Sequence, residues 1–87
     1  MSAFTVYANM ESIEATLNGT DTVTFNRKSK HIMLMNDSAS DNLQFKFHAS
    51  EAFATLQPTE SFAMEMWVAG LLLSTGAAVP YRIWVFG

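Results

Sequence analysis

The side chains able to do chemistry are few and far apart. His31 and His48 are the only histidines, and the chain has no cysteine. A metal ion would need both rings joined to Asp37, Asp41 or Glu51. No ligand pair recurs at a tight spacing such as H-x-x-x-H, which would place two donors side by side. No metal site is expected. A serine nucleophile would call for a strained turn such as G-x-S-x-G, and none occurs. Glu60 and Glu65 lie five positions apart. Glycoside hydrolysis needs two carboxyls at a set separation across a cleft, for which a domain this small has little room. Glu60, inside Thr59-Glu60-Ser61, reads instead as a turn carboxylate accepting hydrogen bonds from backbone N–H groups. Gly70 and Gly76 stand alone, so no glycine-rich loop cradles phosphate. Asn18-Gly19-Thr20 and Asn36-Asp37-Ser38 match the glycosylation acceptor pattern, but no secretory signal accompanies them and both read as chance. The expectation is a chain with no catalytic residue and no cofactor: not an enzyme.

Aromatic residues are the other resource. Trp67, Tyr81, Trp84 and Phe86 crowd the C-terminal quarter, and read first as core, second as a platform for a partner or a sugar ring. In Tyr81-Arg82-Ile83-Trp84-Val85-Phe86, alternation puts Tyr81, Ile83 and Val85 on one face and Trp84 and Phe86 on the other. A strand apolar on both faces needs cover on both. Trp84, Phe86, Arg82 and Trp67 are therefore the candidate subunit-interface residues, since interface anchors are enriched in Trp and Arg. Met33, Met35, Met64 and Met66 read as gap-filling core.

The scaffold for these side chains reads as β. Phe62–Leu73 and Tyr81–Phe86 are apolar runs too short and too rich in aromatic and β-branched residues for helices, with Pro80 opening the last strand. Leu43, Phe45 and Phe47 alternate with Gln44, Lys46 and His48, the clearest half-buried strand. Val23 and Phe25 point inward in Thr22–Arg27, and a further strand is Ile32–Met35. Phe62, Met64, Met66 and Val68 form the inward side of Phe62–Val68. Asn18-Gly19 is a hairpin signal, and Asn36–Asn42 is a polar loop whose side chains bond their own backbone. The fold expected is all-β: a small antiparallel β-sandwich, jelly-roll or Ig-like, of about six to eight short strands. Residues 15–87 form the single domain. Residues 1–14 are an N-terminal arm with a short strand at Phe4–Tyr7, and Met10–Ala15 is either extended or one or two helical turns. Ser50–Thr55 is the other place for a helical turn.

Ala15-Thr16-Leu17-Asn18-Gly19-Thr20-Asp21-Thr22 matches Ala54-Thr55-Leu56-Gln57-Pro58-Thr59-Glu60-Ser61 at an offset of thirty-nine, with four of eight positions identical. Two pseudo-repeated halves of about three strands each would follow. Duplication is one explanation; similar turns meeting similar sheet requirements is the other.

Composition adds a constraint. Apolar residues make up 49% of the 87 and charged residues 15%, against about 25% charged in an average domain. Too few charges remain to coat so small a monomer, and association is the simplest destination for the surplus apolar surface. A net charge of −3 argues against nucleic acid, which needs a basic face. Arg27, Lys28, Lys30 and Lys46, interleaved with Asp37 and Asp41, read as a solvated face. The longest uncharged stretch, Met66–Tyr81, is sixteen residues, below the roughly 20 apolar residues of a membrane-spanning helix. No membrane association is expected.

Asn36-Asp37, Leu43-Gln44-Phe45, Leu56-Gln57-Pro58-Thr59-Glu60-Ser61-Phe62 and Val79-Pro80-Tyr81-Arg82-Ile83-Trp84 with Gly87 resemble the motifs of small β-sandwich virion proteins of tailed bacteriophages. In that family an N-D turn, an L-x-P-x-E turn and a closing V-P-Y-R-I-W-x-x-G strand recur. The resemblance spans residues 30–87, with Thr59 where the turn usually carries Gly. It implies a capsid decoration or cement protein, made in the host cytoplasm and located in the virion. Its partners would be the major capsid protein or other virion proteins and its own copies, as a homo-oligomer such as a trimer. A tail or neck component is the alternative the resemblance allows, and a carbohydrate-binding β-sandwich the alternative the aromatics allow.

Overall fold

A computed structural model describes residues 10–26 and 29–87. Eight strands run β1 Met10–Leu17, β2 Thr20–Thr24, β3 His31–Asn36, β4 Leu43–Lys46, β5 Ala54–Leu56, β6 Ser61–Glu65, β7 Gly70–Ser74 and β8 Val79–Phe86. They form two four-stranded antiparallel sheets, ordered β1-β8-β3-β6 and β2-β7-β4-β5. This order is a jelly roll, of the two shapes expected, and no described residue is helical. The Phe4–Tyr7 strand reading lies outside the described residues.

Three expectations are corrected. Met10–Ala15 takes the extended one of its two expected forms, but within the sheet and not as an arm, because β1 pairs along its whole length with β8, from Met10 opposite Phe86 to Leu17 opposite Val79. The Ser50–Thr55 segment is a turn entering β5. Asn18-Gly19 makes no hairpin: with Gly19 at φ +95°, it carries the chain from one sheet to the other. The neighbouring β7–β8 corner makes the same crossing, and the two are tied by Thr75 N–H to the Gly19 carbonyl at 2.9 Å. Among the described residues, the only sequential strands paired with each other are β4 and β5.

The expected Phe62–Val68 strand ends at Glu65. Beyond it, the chain turns across the end of the sandwich to meet the β2–β3 connection. Ser29 N–H donates to the Val68 carbonyl at 2.8 Å and Met66 N–H to the Lys30 carbonyl at 3.2 Å. The fully buried Ser29 hydroxyl donates to the Met66 carbonyl at 2.7 Å. At β7, a Cβ on Gly70 would collide with the Val23 carbonyl, so glycine is what lets β2 approach.

Between the sheets lies a core of Leu17, Val23, Phe25, Ile32, Leu34, Leu43, Phe45, Leu56, Leu71, Leu73, Val79, Tyr81, Ile83 and Val85. Period-two alternation accounts for it: each inward residue on β8 is separated from the next by a partly exposed one. Phe47 is half-buried against this core, as are Phe62, Met66 and Val68. Met64, expected inside, is 40% exposed; it lies on β6, an edge strand of its sheet.

Advancing every strand number by four exchanges the two sheets and preserves their order. The sequence offset of thirty-nine follows this internal two-fold: Leu17 falls on Leu56, Ile32 on Leu71 and Leu34 on Leu73, all buried. The register is lost at the last strand of each half, where buried Leu43 and Phe45 fall on outward-facing Arg82 and Trp84.

Candidate functional site

Strand β8 lies inside its sheet, flanked by β1 and β3. Its inward residues Ile83 and Val85 are buried, and its outward residues are Arg82, Trp84 and Phe86, each partly exposed. Directly opposed residues share a face, so the register defines the outer surface row by row. Met10, Phe86, His31 and Glu65 form one row; Ser12, Trp84, Met33 and Ala63 the next; Glu14, Arg82, Met35 and Ser61 the third. Trp84 and Met33 thus form an apolar centre, continued by Phe86 and by Met10, which is 55% exposed. The Phe86 and His31 rings meet edge-on with centroids 6.1 Å apart. Glu14, Glu65 and Arg82 supply charge at the rim.

Arg82 is held in place rather than left to wander. Its Nε and Nη2 donate to the two carboxylate oxygens of Asp37 at 2.7 and 2.9 Å, a bidentate pairing that fixes the guanidinium plane. The hydrogen bond and charge of Asp37, and more weakly the charge of Glu14, push the Arg82 pKa further above its ordinary value. The guanidinium carbon lies 5.9 Å from the centre of the Trp84 ring, within cation–π range.

Trp67 is not part of this surface. It lies in the 66–69 connection, 70% exposed, beside an open cleft of about 390 Å³ over the β2–β7 side of the other sheet. The four expected interface residues therefore divide into Arg82, Trp84 and Phe86 on one sheet and Trp67 at the other. Tyr81, the remaining aromatic of the group, is 4% exposed in the core; burial, and secondarily the charge of Asp21, raises its phenol pKa.

The polar side chains near the ends of strands are engaged in holding loops. Glu60 accepts from Gln57 N–H at 2.6 Å, as its turn position suggested. Glu51 accepts from the N–H groups of Phe47 and His48, both at 3.0 Å, and these bonds lower its pKa. Glu11 accepts from the backbone and side-chain amides of Asn26, each at 3.0 Å. His31 is on β3 and His48 just beyond β4, in different sheets. Among the described residues no three His, Asp or Glu side chains converge where a metal could be held. What this arrangement offers chemically is contact surface: an outward apolar face on a rigid sheet and one aromatic-walled cleft.

Two buried residues fix the loops around these surfaces: Ser29, which sequence reasoning missed, and Asn36, which it placed in a self-bonding loop without its long-range partners. Asn36 had a legible signal: an amide ending an apolar run and followed two positions later by serine, the pattern of an Asx turn. Ser29, between two basic residues, carried none.

No family model matches the chain, and no curated protein matches it. Among solved structures, a Salmonella typhimurium LT2 protein assigned to ethanolamine utilization (EutQ) superposes with a TM-score of 0.61 at 12% identity, over 88% of this chain and 57% of that one. A de novo designed double-stranded β-helix superposes with a TM-score of 0.58 at 18% identity, over 84% of this chain and 95% of the design. The chain thus spans little more than half the length of the EutQ structure, and at these identities the likeness concerns the fold alone. The fold is the double-stranded β-helix, the jelly-roll sandwich reached above from strand order.

Proposed function

We propose that this chain is a non-enzymatic structural subunit of a tailed-phage virion, decorating the capsid through the outward face of β8 and its neighbours. The observation that carries this reading is the Trp84–Met33 centre, extended by Met10 and Phe86 and rimmed by Arg82, Glu14 and Glu65. Anchors of this composition carry most of the energy of a typical interface, about 2 kcal/mol or more each. The jelly roll is an architecture of viral capsid domains, besides lectins and cupins, and the motif resemblance over residues 30–87 points the same way. The partners would be the major capsid protein and copies of this chain. A particle supplies those partners at high local concentration.

The test is co-sedimentation with the source particle, supported by mass spectrometry of the particle's proteins. The wild type should co-sediment and Trp84→Ala should lose binding while retaining its thermal transition. A wild type that ignores the particle refutes the virion assignment. A Trp84→Ala variant that binds normally refutes the face, and recovery of the protein from tails rather than capsids would move the assignment to a tail or neck component.

A further inference from the structure

We infer that the cleft beside Trp67 is a binding site for a neutral sugar ring. This rests on observations separate from the assembly face, since the cleft belongs to the opposite sheet.

The floor of the cleft is the outer side of the β2–β7 pair, where Thr22 faces Leu72 and Thr24 faces Gly70. Its walls are Trp67 and Val68 from one connection and Phe47 and His48 from another. The volume of about 390 Å³ is at the low end of the roughly 300–1,000 Å³ usual for small-molecule sites. Trp67, at 70% exposure, contributes little to the core. Its indole instead lines the cleft, beside a floor held by the β2–β7 strand ladder.

The lining chooses among ligand classes. Among the described residues it contains no Asp, Glu, Lys or Arg, so from them a charged ligand would gain no counter-charge against its desolvation. A wholly apolar ligand would cover the hydroxyls of Thr22 and Thr24 and the ring of His48. A buried polar group without a partner costs free energy, and none of these three side-chain groups hydrogen-bonds another described residue. A pyranose meets both conditions. Its C–H face lies on an aromatic ring and its hydroxyls reach donors and acceptors at the edge. The open side of the cleft leaves room for further sugars of an oligosaccharide.

The experiment uses the whole chain with Trp84→Phe, which leaves Trp67 as the only indole fluorophore. Maltotriose, chitotriose and lactose are the neutral probes, sialyllactose the charged one and cyclohexane the apolar one. At least one neutral sugar should give a saturable emission shift, with a dissociation constant roughly in the millimolar range for a single stacked ring. Trp67→Ala should weaken that binding at least about tenfold without lowering the melting temperature, and Thr24→Val should weaken it too. Where Trp84→Phe perturbs folding, the two indole N–H signals of ¹⁵N-labelled wild type separate the tryptophans, and the Trp67 signal alone should move. No saturable response to any neutral sugar overturns the inference, as does binding that survives Trp67→Ala. Cyclohexane binding that sugar does not displace would make the cleft an apolar site and overturn it equally.

Discussion

Asn36 ends β3 with a side chain that is 1% exposed and fully engaged. Its amide nitrogen donates to the carbonyls of Asp41, Leu56 and Gln57 at 2.9, 3.0 and 3.1 Å. Its oxygen accepts from Ser38 N–H at 2.9 Å. One side chain therefore joins the loop after β3 to the end of β5 and the turn beyond it. Asn36→Ala should cost about 1–3 kcal/mol through the buried groups it orphans. Asn36→Asp should cost more, because an acceptor then faces three carbonyl oxygens. Urea unfolding of the two variants checks the order; an equal or smaller loss from Asp would show that the carbonyls find other donors. Glu51 makes a pH prediction. Its two backbone hydrogen bonds lower its pKa from the ordinary 4.5. Because the native value is depressed, the contribution is fully present above that ordinary value and is lost as pH falls through the lowered native one. The Phe47 and His48 amide signals should titrate over that acidic window in wild type and not in Glu51→Gln. Amides that titrate equally in both would assign the change to another group.

At the scale of elements, β4 is the short strand on which packing is concentrated. Phe45 lies 5.9 Å from Phe47 and 5.1 Å from Phe62 by ring centroid, joining β4 to β6 across the sandwich. Its neighbour Lys46 points outward, over the Phe53 ring at 4.3 Å, and donates to the Ala49 carbonyl. Phe45→Ala should cost about 3–5 kcal/mol, and Lys46→Ala at most about 1 kcal/mol, the size of an exposed cation–π contact. Chemical denaturation of both variants measures the contrast, and comparable losses would mean that β4 does not divide inside from outside as its alternation implies. The exposed Met64 belongs to the same scale: it has the inward parity of a core residue but lies on an edge strand of its sheet.

At the scale of the molecule, the core between the sheets is almost wholly apolar, and apolar surface is left both on the outer face around β8 and, with Trp67, beside the opposite sheet. Among the described residues no helix is long and apolar enough to cross a membrane. Association through the β8 face would stabilise the folded chain by mass action, so the melting temperature should rise with protein concentration. Trp84→Ala should flatten that dependence more than it lowers the melting temperature at high dilution. Differential scanning calorimetry at several concentrations, paired with sedimentation, reads both effects. A wild-type transition that is independent of concentration would rule out self-association through this face, leaving only binding to a different protein.

Much of the local structure was legible because it depends on neighbours in sequence. Period-two alternation assigned Val23, Phe25, Phe45, Ile83 and Val85 to the inside, and turn chemistry located the polar loop at Asn36–Asn42 and the Glu60 turn. The offset of thirty-nine carried a trace of the internal two-fold. Partner choice was not legible. Asn18-Gly19 specifies a reversal-prone backbone, but whether the chain folds back as a hairpin or crosses to another sheet depends on which distant strand offers its hydrogen bonds. For β1 that strand is β8, more than sixty residues away. The candidate surfaces followed the same division. Alternation placed Arg82, Trp84 and Phe86 together on one face, since they occupy one strand. Trp67, on a connection rather than a strand, could be placed only by the tertiary fold, which turns the 66–69 segment over the opposite sheet and sets it beside Thr22, Thr24 and His48. Local periodicity determines which way a side chain points; long-range pairing decides what it points at.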